Sequence, residues 1–199
     1  MTKVLTFKVE IEGLEDKISR TIEITDRRTV ADLAYTILAT FNSLAYHLYN
    51  IKYKDCIYDS WVCVEDNPDY EDLTNAVITK LSSLGLKEND TMEMEYDYGT
   101  TTFFKITYLG CSEFKKGNGM HYPYVVDGKG YGMIDDITNE ELKYVVDSID
   151  KTGKTDYYVL CMDGRHSKKY DYRNFDLGKN NLHVRRFFQK IKYGYEVGE

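Results

Sequence analysis

The feature that most constrains this sequence is a pair of alternating runs on either side of Gly99. In residues 91–98, Met or Tyr side chains alternate with acidic ones, which is the period of a strand with one buried face. Residues 102–109 alternate in the same way, with Phe, Ile and Tyr on one face. Because glycine tolerates the backbone angles of a tight turn, the two runs predict an antiparallel hairpin.

The alternation of strands and the 3.6-residue spacing of helices predict further elements before this hairpin. The predicted strands span residues 4–12, 18–24 and 47–58, and the predicted helices span residues 30–41 and 70–84. The first helix begins at a capping box, Thr29-x-x-Asp32, and Gly85 is suited to end the second helix in the left-handed conformation. Strands and helices in this order favour a sheet that is covered by helices.

The composition changes after residue 110. Residues 111–132 are rich in glycine and tyrosine and predict a long irregular loop. A second capping box, Thr138-x-x-Glu141, begins a helix that Gly153 ends. A short strand over residues 157–162 follows.

Together these elements predict the α+β class, with a mixed β-sheet and helices packed on one face. In residues 1–110, the order of elements and the phrase LSSLGLKENDTMEMEY resemble a ubiquitin-like β-grasp. The resemblance implies a β-grasp-like first half. We expect residues 111–199 to form a helical and loop extension that packs onto this half as one domain.

Phrases spread over nearly the whole chain resemble the plasmid pRiA ORF-three-like family. They are VLTFKVEIEGLEDKISRTIEI, VADLAYTILATF, HLYNIKY, MEYDYGTTTFFKITYLG, YPYVVDGKGYG and NFDLGKNNL. The most specific of them is Tyr96-Asp97-Tyr98-Gly99. Members often carry a resolvase-like or mobile-element label that rests on gene neighbourhood, so the resemblance implies no established activity.

The chain departs from the family pattern in two places. After the glycine the family has an aspartate and then a tryptophan, where this chain has Thr100, Thr101 and Phe103. The family also has a Cys-Pro-Pro-Glu-Asp-type segment where residues 122–127 read Tyr-Pro-Tyr-Val-Val-Asp. A polar site that the family shares would therefore be altered here.

We expect one groove between the hairpin and the glycine-rich loop, because aromatic side chains, a carboxylate and a histidine occur in these segments. The residues expected near its walls are His47, Asp97, Tyr98, Tyr122, Tyr124 and Tyr131. His47 and Asp97 would serve acid–base chemistry or ligand binding there. We favour the other interpretation, in which Asp97 is a structural carboxylate that accepts backbone hydrogen bonds at the turn. We assign no catalytic residue, because one carboxylate and one histidine without fixed spacing satisfy few catalytic geometries.

The charge of the chain is uneven. The net charge of −7 argues against a surface that binds nucleic acid as a whole. Residues 163–192 nevertheless carry +6, whereas residues 1–162 carry −11. The cations that could follow a phosphate backbone are Arg165, Lys168, Lys169, Arg185, Arg186 and Lys190.

A final helix over residues 180–192 offers the alternative for this basic stretch. Its cations are interleaved with apolar side chains, which are Leu182, Phe187, Phe188 and Ile191. Phe187, Phe188 and Ile191 must be buried, so we favour docking of the helix on the acidic remainder of the chain. Nucleic acid is therefore not the expected partner.

Two other patterns resemble known motifs only superficially. Gly128-x-Gly130-x-Gly132 lacks the adjoining strand and helix, and the Gly-Lys-Ser/Thr, of a phosphate loop. His183-x-x-Arg186 with tyrosines downstream invites comparison with tyrosine recombinases, but the chain is too short and too rich in strands for that catalytic domain. Neither pattern is taken as a site.

The cysteines and the hydropathy indicate the compartment in which the protein is expected to work. The cysteines are Cys56, Cys63, Cys111 and Cys161. They form no Cys-x-x-Cys pair, so we expect reduced, mostly buried thiols and neither a metal nor a cofactor. No run of about 18 apolar residues occurs, so we expect a cytoplasmic protein that does not contact a membrane.

From these observations a binding or protein-interaction module is the favoured function. Its partner would be a protein or a small molecule, and the edge strands of the sheet would suit docking by strand addition. The alternative is an enzyme of unknown type that uses the groove near His47 and Asp97.

Overall fold

The computed structural model of the protein describes residues 1–60, 73–114 and 121–197. The strands in these ranges are β1 (Lys3–Ile11), β2 (Ser19–Thr25), β3 (Tyr49–Tyr53), β4 (Cys56–Asp59), β5 (Leu73–Asn75), β6 (Thr91–Tyr96), β7 (Thr102–Glu113), β8 (Tyr124–Lys129), β9 (Tyr158–Leu160) and β10 (Ser167–Lys169). The α-helices are α1 (Val30–Thr40), α2 (Asn139–Thr152) and α3 (Leu177–Glu196).

The main sheet has the strand order β5-β4-β3-β6-β7-β1-β2-β8, and β9 and β10 form a separate pair. Neighbouring strands are antiparallel except β4 and β5, so the sheet is mixed. The predicted hairpin forms its centre, with Met94 opposite Phe104 and Met92 opposite Ile106. Because alternate residues project to the same face, these side chains are buried together. The α+β class is confirmed.

Helix α1 is buried along its whole length and packs against α3. The predicted capping box is present: Thr29 Oγ1 accepts from the N–H of Asp32, and an Asp32 carboxylate oxygen accepts from the N–H of Thr29. Lys192 of α3 reaches the other oxygen of Asp32 at 2.8 Å. The start of α1 is therefore linked to the end of α3.

The side-chain amide of Asn181 covers the outer edge of β8. Its Nδ2 donates to the Val125 carbonyl and its Oδ1 accepts from the Val125 N–H, both at 2.8 Å. The amide thus pairs with β8 as a neighbouring strand would, which satisfies backbone groups that an edge strand leaves open. In the same helix Phe187, Phe188 and Ile191 are buried as expected, whereas Leu182 is 59% exposed because the buried stripe runs through Asn181 instead.

Residues 73–84 do not form the predicted second helix. They contain β5, which runs parallel to β4, and a single 3-10 turn at Leu81–Ser83. The Asn75 side chain accepts a hydrogen bond from the N–H of Val77 at 2.8 Å, a local bond that competes with helical bonding. Residues 70–72 of that prediction lie outside the described residues.

The predicted strand over residues 47–58 is a hairpin of β3 and β4. Tyr53 pairs with Cys56 across a tight turn in which Lys54 has a φ of +53°. Lys54 and Asp55 suit an exposed strand position as well as a turn, so the alternation alone did not reveal the reversal.

Two described parts of the segment over residues 111–132 are strands and not the expected loop, and residues 115–120 lie outside the described residues. Strand β7 continues to Glu113, and β8 pairs with β2, with Val125 opposite Ile22. This pairing is long-range, so the glycine-rich composition of the segment gave no sign of it.

Two glycines of the pattern that resembled a phosphate loop, Gly130 and Gly132, allow the chain to pack closely against its neighbours. A Cβ at Gly132, where φ is +132°, would overlap the carbonyl group of Phe41 at the end of α1. A Cβ at Gly130 would lie 2.6 Å from the carbonyl oxygen of Lys17. Only glycine lets the chain after β8 approach its neighbours this closely.

One hydrophobic core contains side chains from before and after residue 110, such as Phe7, Phe104, Val146 and Phe188. Strand β1 lies between β2 and β7, antiparallel to both, and β8 from beyond residue 110 joins the same sheet. The β-grasp-like first half is not confirmed. Among the described helices, none has the length and apolar character needed to span a membrane.

The expectation of mostly buried cysteines is wrong. Cys56 and Cys111 are exposed free thiols, because Cys56 lies at the β3–β4 turn and Cys111 lies in the part of β7 that extends beyond the core. Cys161 is a half-buried free thiol, and Cys63 lies outside the described residues.

Candidate functional site

The segment that follows α1, residues 42–48, reverses the chain and presents polar side chains beside the end of β6. Asn42 and Ala45 have φ angles of +61° and +57°, in the left-handed region that non-glycine residues rarely occupy. These two residues turn the backbone so that His47 points toward the turn after β6.

Asp135 holds this segment in place. Its Oδ1 accepts from Ser43 Oγ at 2.7 Å, and its Oδ2 accepts from the N–H of Leu44 at 3.0 Å. Burial raises the pKa of Asp135, while both hydrogen bonds act in the opposite direction because they stabilise its charged form. The carboxyl group therefore links the chain before α2 to the chain after α1.

His47 meets two aspartates that come from other parts of the chain. Its Nε2 lies 2.8 Å from Asp136 Oδ1 and 3.5 Å from Asp97 Oδ2. The hydroxyl of Tyr46 donates to the other oxygen of Asp136 at 2.5 Å. We call His47, Asp97 and Asp136 the His47 cluster.

Asp97 also shapes the turn after β6, where its φ is +63°. Its Oδ1 accepts from the N–H of Gly99 at 2.9 Å, and its Oδ2 accepts from the hydroxyl of Thr100 at 2.5 Å. Burial raises the pKa of Asp97, but the bonds from Thr100 and Gly99 outweigh burial and hold the pKa below its ordinary range. Asp97 is therefore ionised at neutral pH and serves the turn and the cluster together.

A groove runs along α3 and has two compartments. The first has a volume of about 450 Å³ and lies at the start of the helix. The second has a volume of about 490 Å³ and lies toward its end. Met162 and Phe187 line both compartments, so the two adjoin. We call the two compartments together the α3 groove.

Several cationic side chains line the first compartment. Lys168, Lys179 and Arg186 line it, and none of the three forms an ion pair with any residue that the structure describes. The ammonium nitrogen of Lys168 lies 4.0 Å from the centre of the Tyr131 ring, which is a cation–π distance. That contact holds the Lys168 side chain at the wall of the compartment.

Two carboxylates also line the first compartment, and both are engaged in backbone hydrogen bonds. Asp176 caps α3 by accepting from the N–H of Lys179 at 2.8 Å. Asp163 accepts from the N–H of Arg165 at 2.9 Å, and this bond, with that from His166, lowers the pKa of Asp163 to about 2. Among the described residues, neither carboxylate pairs with a lysine or arginine of the compartment.

His183 lines the same compartment in its neutral form. Its Nδ1 lies 2.8 Å from Asn42 Oδ1. Since Asn42 Nδ2 donates to the carbonyl of Tyr131, the amide oxygen faces the ring and Nδ1 carries the proton. Burial lowers the pKa of His183, and the charges of Lys168 and Arg186 lower it further. Its Nε2 is then a hydrogen-bond acceptor.

The second compartment is aromatic and adjoins the His47 cluster. Tyr46, His47 and Tyr195 line it, and Lys190 is its cation. The Tyr195 ring stacks on Tyr35 with 5.3 Å between centroids, and its hydroxyl donates to the carbonyl of His47. Helix α3 therefore fixes both the wall of the compartment and the backbone that carries His47.

The residues expected around one groove lie in separate places. His47 and Asp97 are in contact, and Tyr131 lines the first compartment of the α3 groove. Tyr98 follows Asp97, but its hydroxyl donates to Asp59 Oδ2 at 3.0 Å, at the end of β4. Tyr98 thus lies beside the cluster and lines neither compartment.

Tyr122 and Tyr124 do not reach this region, so their place in the expected groove is wrong. Tyr124 pairs with Glu23 near the end of β2, and the Tyr122 ring lies 5.9 Å from that of Phe114. Asp97 follows β6, which is four strands from β8 in the strand order. It also lies beyond the opposite ends of the strands from Tyr124. The direction of β8 is the reason, because Tyr124 begins the strand at the end far from Asp97, whereas Lys129 ends it at the near end.

Three of the six basic residues considered for a nucleic-acid backbone line the α3 groove, and three do not. Lys168, Arg186 and Lys190 line the α3 groove. The other three are exposed but line neither compartment, and they are Arg165, Lys169 and Arg185.

Several residues of the site were not expected from the sequence. Asp135 and Asp136 precede a predicted helix cap, and no spacing relates them to His47, which lies 89 residues before Asp136. In the sequence, nothing distinguishes Lys179 from the other cations of the basic stretch. His183 and Arg186 were noticed only for their likeness to a recombinase pair, whereas here they share a cavity wall.

Comparison with known proteins gives a family and a fold. The sequence pattern of the family described as "Plasmid pRiA4b ORF-3-like protein" matches residues 3–179. A solved structure of a protein of unknown function, MM3350 from Methanosarcina mazei Go1, is similar with a TM-score of 0.71 and 20% identity, over 91% of this chain and 97% of that one. The comparison with curated proteins gave no match. At this identity the structural likeness concerns the fold alone, and the resolvase-like label is not confirmed.

Proposed function

The chain belongs to the plasmid pRiA4b ORF-3-like family, and we propose that it is a binding module whose α3 groove takes a small anionic molecule. The observation that carries the proposal is the set of Lys168, Lys179 and Arg186 around the first compartment, without ion-pair partners in the described part of the chain. With Asp163 and Asp176 in the same wall, the three cations leave one excess positive charge, which favours binding of an anion. In a protein of net charge −7, such a gathering favours a specific role.

The remaining wall of the first compartment suits the body of such a ligand. Its volume of about 450 Å³ lies within the range of small-molecule sites. Tyr131, Phe175 and Phe187 supply apolar surface, and neutral His183 supplies an acceptor. The start of α3 adds a favourable dipole for negative charge. We therefore infer a ligand with an anionic group and an apolar or planar body.

The alternatives have less support in the geometry. Strand addition at β8 would have to displace Asn181, and the strand at the other edge, β5, has three residues. A nucleic-acid backbone would need the basic residues on one surface, and they divide between the groove and the outside. An enzyme that uses His47 and Asp97 remains a hypothesis, supported by their contact at 3.5 Å.

Thermal unfolding with and without ligands tests the proposal. The panel contains carboxylated and phosphorylated metabolites, each beside its uncharged analogue. A ligand at 100 times its dissociation constant should stabilise the protein by about 2.7 kcal/mol. We expect some anionic members to raise the unfolding temperature while their uncharged analogues do not.

Two double variants with the same change in charge locate the effect. Lys168→Ala with Arg186→Ala removes cations that line the groove, whereas Lys169→Ala with Arg185→Ala removes their sequence neighbours, which do not line it. The first variant should lose the anion-dependent shift and the second should keep it. An equal loss in both variants, or no shift in the parent protein, would refute the proposal.

A further inference from the structure

The three residues of the His47 cluster present one metal-ligating atom each to a common point. These atoms, one imidazole nitrogen and two carboxylate oxygens, all lie within 4.8 Å of one another. Bonds of about 2.0–2.2 Å to one ion would place its ligands about 3 to 4 Å apart. The two nitrogen–oxygen distances of 2.8 and 3.5 Å are already close to that range.

Among the described residues, neither a lysine nor an arginine balances the carboxylates of the cluster. No Lys or Arg in the described ranges forms an ion pair with Asp97, Asp135 or Asp136. His47 Nε2 faces two carboxylates, yet one ring nitrogen carries at most one proton. A bound cation would contact this nitrogen and both carboxylates together, which a single proton cannot do.

Both carboxylates are oriented by hydroxyl groups outside the cluster. Tyr46 donates to Asp136 Oδ2 and Thr100 donates to Asp97 Oδ2, each at 2.5 Å. Such second contacts orient the ligands of protein metal sites and contribute to their affinity.

From this geometry and charge we propose that His47, Asp97 and Asp136 bind a first-row divalent cation of the Mn²⁺, Co²⁺ and Zn²⁺ class. The imidazole ligand is the reason for this class, because Ca²⁺ and Mg²⁺ favour sites made of oxygen atoms. Three protein ligands leave coordination positions for water or a ligand. Since His47 and Tyr46 line the second compartment, those positions adjoin a cavity of about 490 Å³. The site is separate from the proposed anion site, whose cations line the first compartment.

Metal titration of the tag-free protein tests the proposal. Calorimetry with Zn²⁺ and Mn²⁺ measures stoichiometry and affinity, and visible absorbance of Co²⁺ reports its coordination. We expect one ion per chain. Asp136→Asn should weaken binding at least ~10-fold, and it should fold because this side chain is 62% exposed. Tyr46→Phe keeps every ligand and should weaken binding about 10-fold, through the orientation of Asp136.

The chain supplies a matched control. His166 Nδ1 lies 2.9 Å from Asp163 Oδ2, a histidine–aspartate contact without a third ligand in the described residues. His166→Ala should leave metal affinity unchanged, as should the double variant Lys168→Ala with Arg186→Ala, so failure of the anion proposal and of the metal proposal can be told apart. Absence of stoichiometric binding, or binding that survives both Asp136→Asn and His47→Gln, would mean an adventitious ion only and would overturn the proposal.

Discussion

At the scale of single residues, Arg20 is a buried charge that the surrounding carbonyl groups and rings must stabilise. It is fully buried, and among the described residues no carboxylate pairs with it. The guanidinium instead donates to backbone carbonyl groups, which are those of Ser19, Thr40, Lys129 and Tyr131. The rings of Phe41 and Phe175 lie 4.9 and 4.6 Å from it. Burial lowers the pKa of Arg20 to about 9, so the group is still charged at neutral pH.

We expect Arg20→Met to lower the free energy of unfolding by about 3 kcal/mol, because it leaves buried carbonyl groups without their charged donor. Chemical denaturation measures this loss. Arg28→Met is the matched control. Arg28 is partly exposed, and its guanidinium lies 3.6 Å from Asp32 Oδ2, so this substitution should lower the free energy of unfolding by less than about 1 kcal/mol. Equal losses in the two variants would contradict the role assigned to Arg20.

At the scale of elements, Asp150 links the end of α2 to two other segments. Its carboxylate accepts from the hydroxyl of Tyr172 and, at 3.0 Å, from the ammonium of Lys17 in the β1–β2 turn. These bonds, first that from Tyr172 and then that from Lys17, hold the pKa of Asp150 below its ordinary range. A carboxyl group of this kind stabilises the fold above its ordinary pKa, and the stabilisation disappears as the pH falls through the lowered value.

Asp150→Asn should therefore lower the urea midpoint at pH 7, and the difference from the parent protein should vanish as the pH falls through the lowered pKa of Asp150. Asp147→Asn on the same helix is the control. Asp147 is exposed and pairs with Lys143 one turn earlier, so its replacement should change stability by about 0.5 kcal/mol or less. A difference for Asp150→Asn that is constant with pH would show that its charge is not the cause.

At the scale of the whole molecule, α3 completes the core and covers an edge of the sheet. Phe188 and Val184 join the core, Asn181 occupies the outer edge of β8, and Lys192 pairs with Asp32 of α1. Truncation after Lys169 should therefore abolish cooperative thermal unfolding and increase binding of a hydrophobic dye. A truncate that unfolds cooperatively near the parent temperature would show that α3 is dispensable.

A mobility-shift assay with duplex DNA at about 50 mM salt examines the nucleic-acid alternative on the full chain. We expect no shift, because the basic residues divide between the groove and the outside. Binding with a logarithmic salt slope near −5, as about six phosphate contacts would give, would favour that alternative.

The sequence by itself determined the elements whose bonds are local. The capping boxes at Thr29 and Thr138 and the alternation around Gly99 specify two helices and the central hairpin, because the residues involved are close along the chain. Tertiary structure alone decided β5 and β8. Their backbone partners, β4 and β2, are distant in sequence, so helical spacing in residues 73–84 and glycine-rich composition in residues 124–132 gave no sign of these strands.

The candidate site divides in the same way. Residue type and sequence context were enough to single out His47 and Asp97 as chemically useful. Tertiary structure brought Asp136 to them, gathered Lys168, Lys179 and Arg186 around one cavity, and placed Tyr122 and Tyr124 at the far end of the sheet. Sequence periodicity describes only the face on which a residue lies. The distance between two segments is set by strand direction and helix packing, which exist only once the chain has folded.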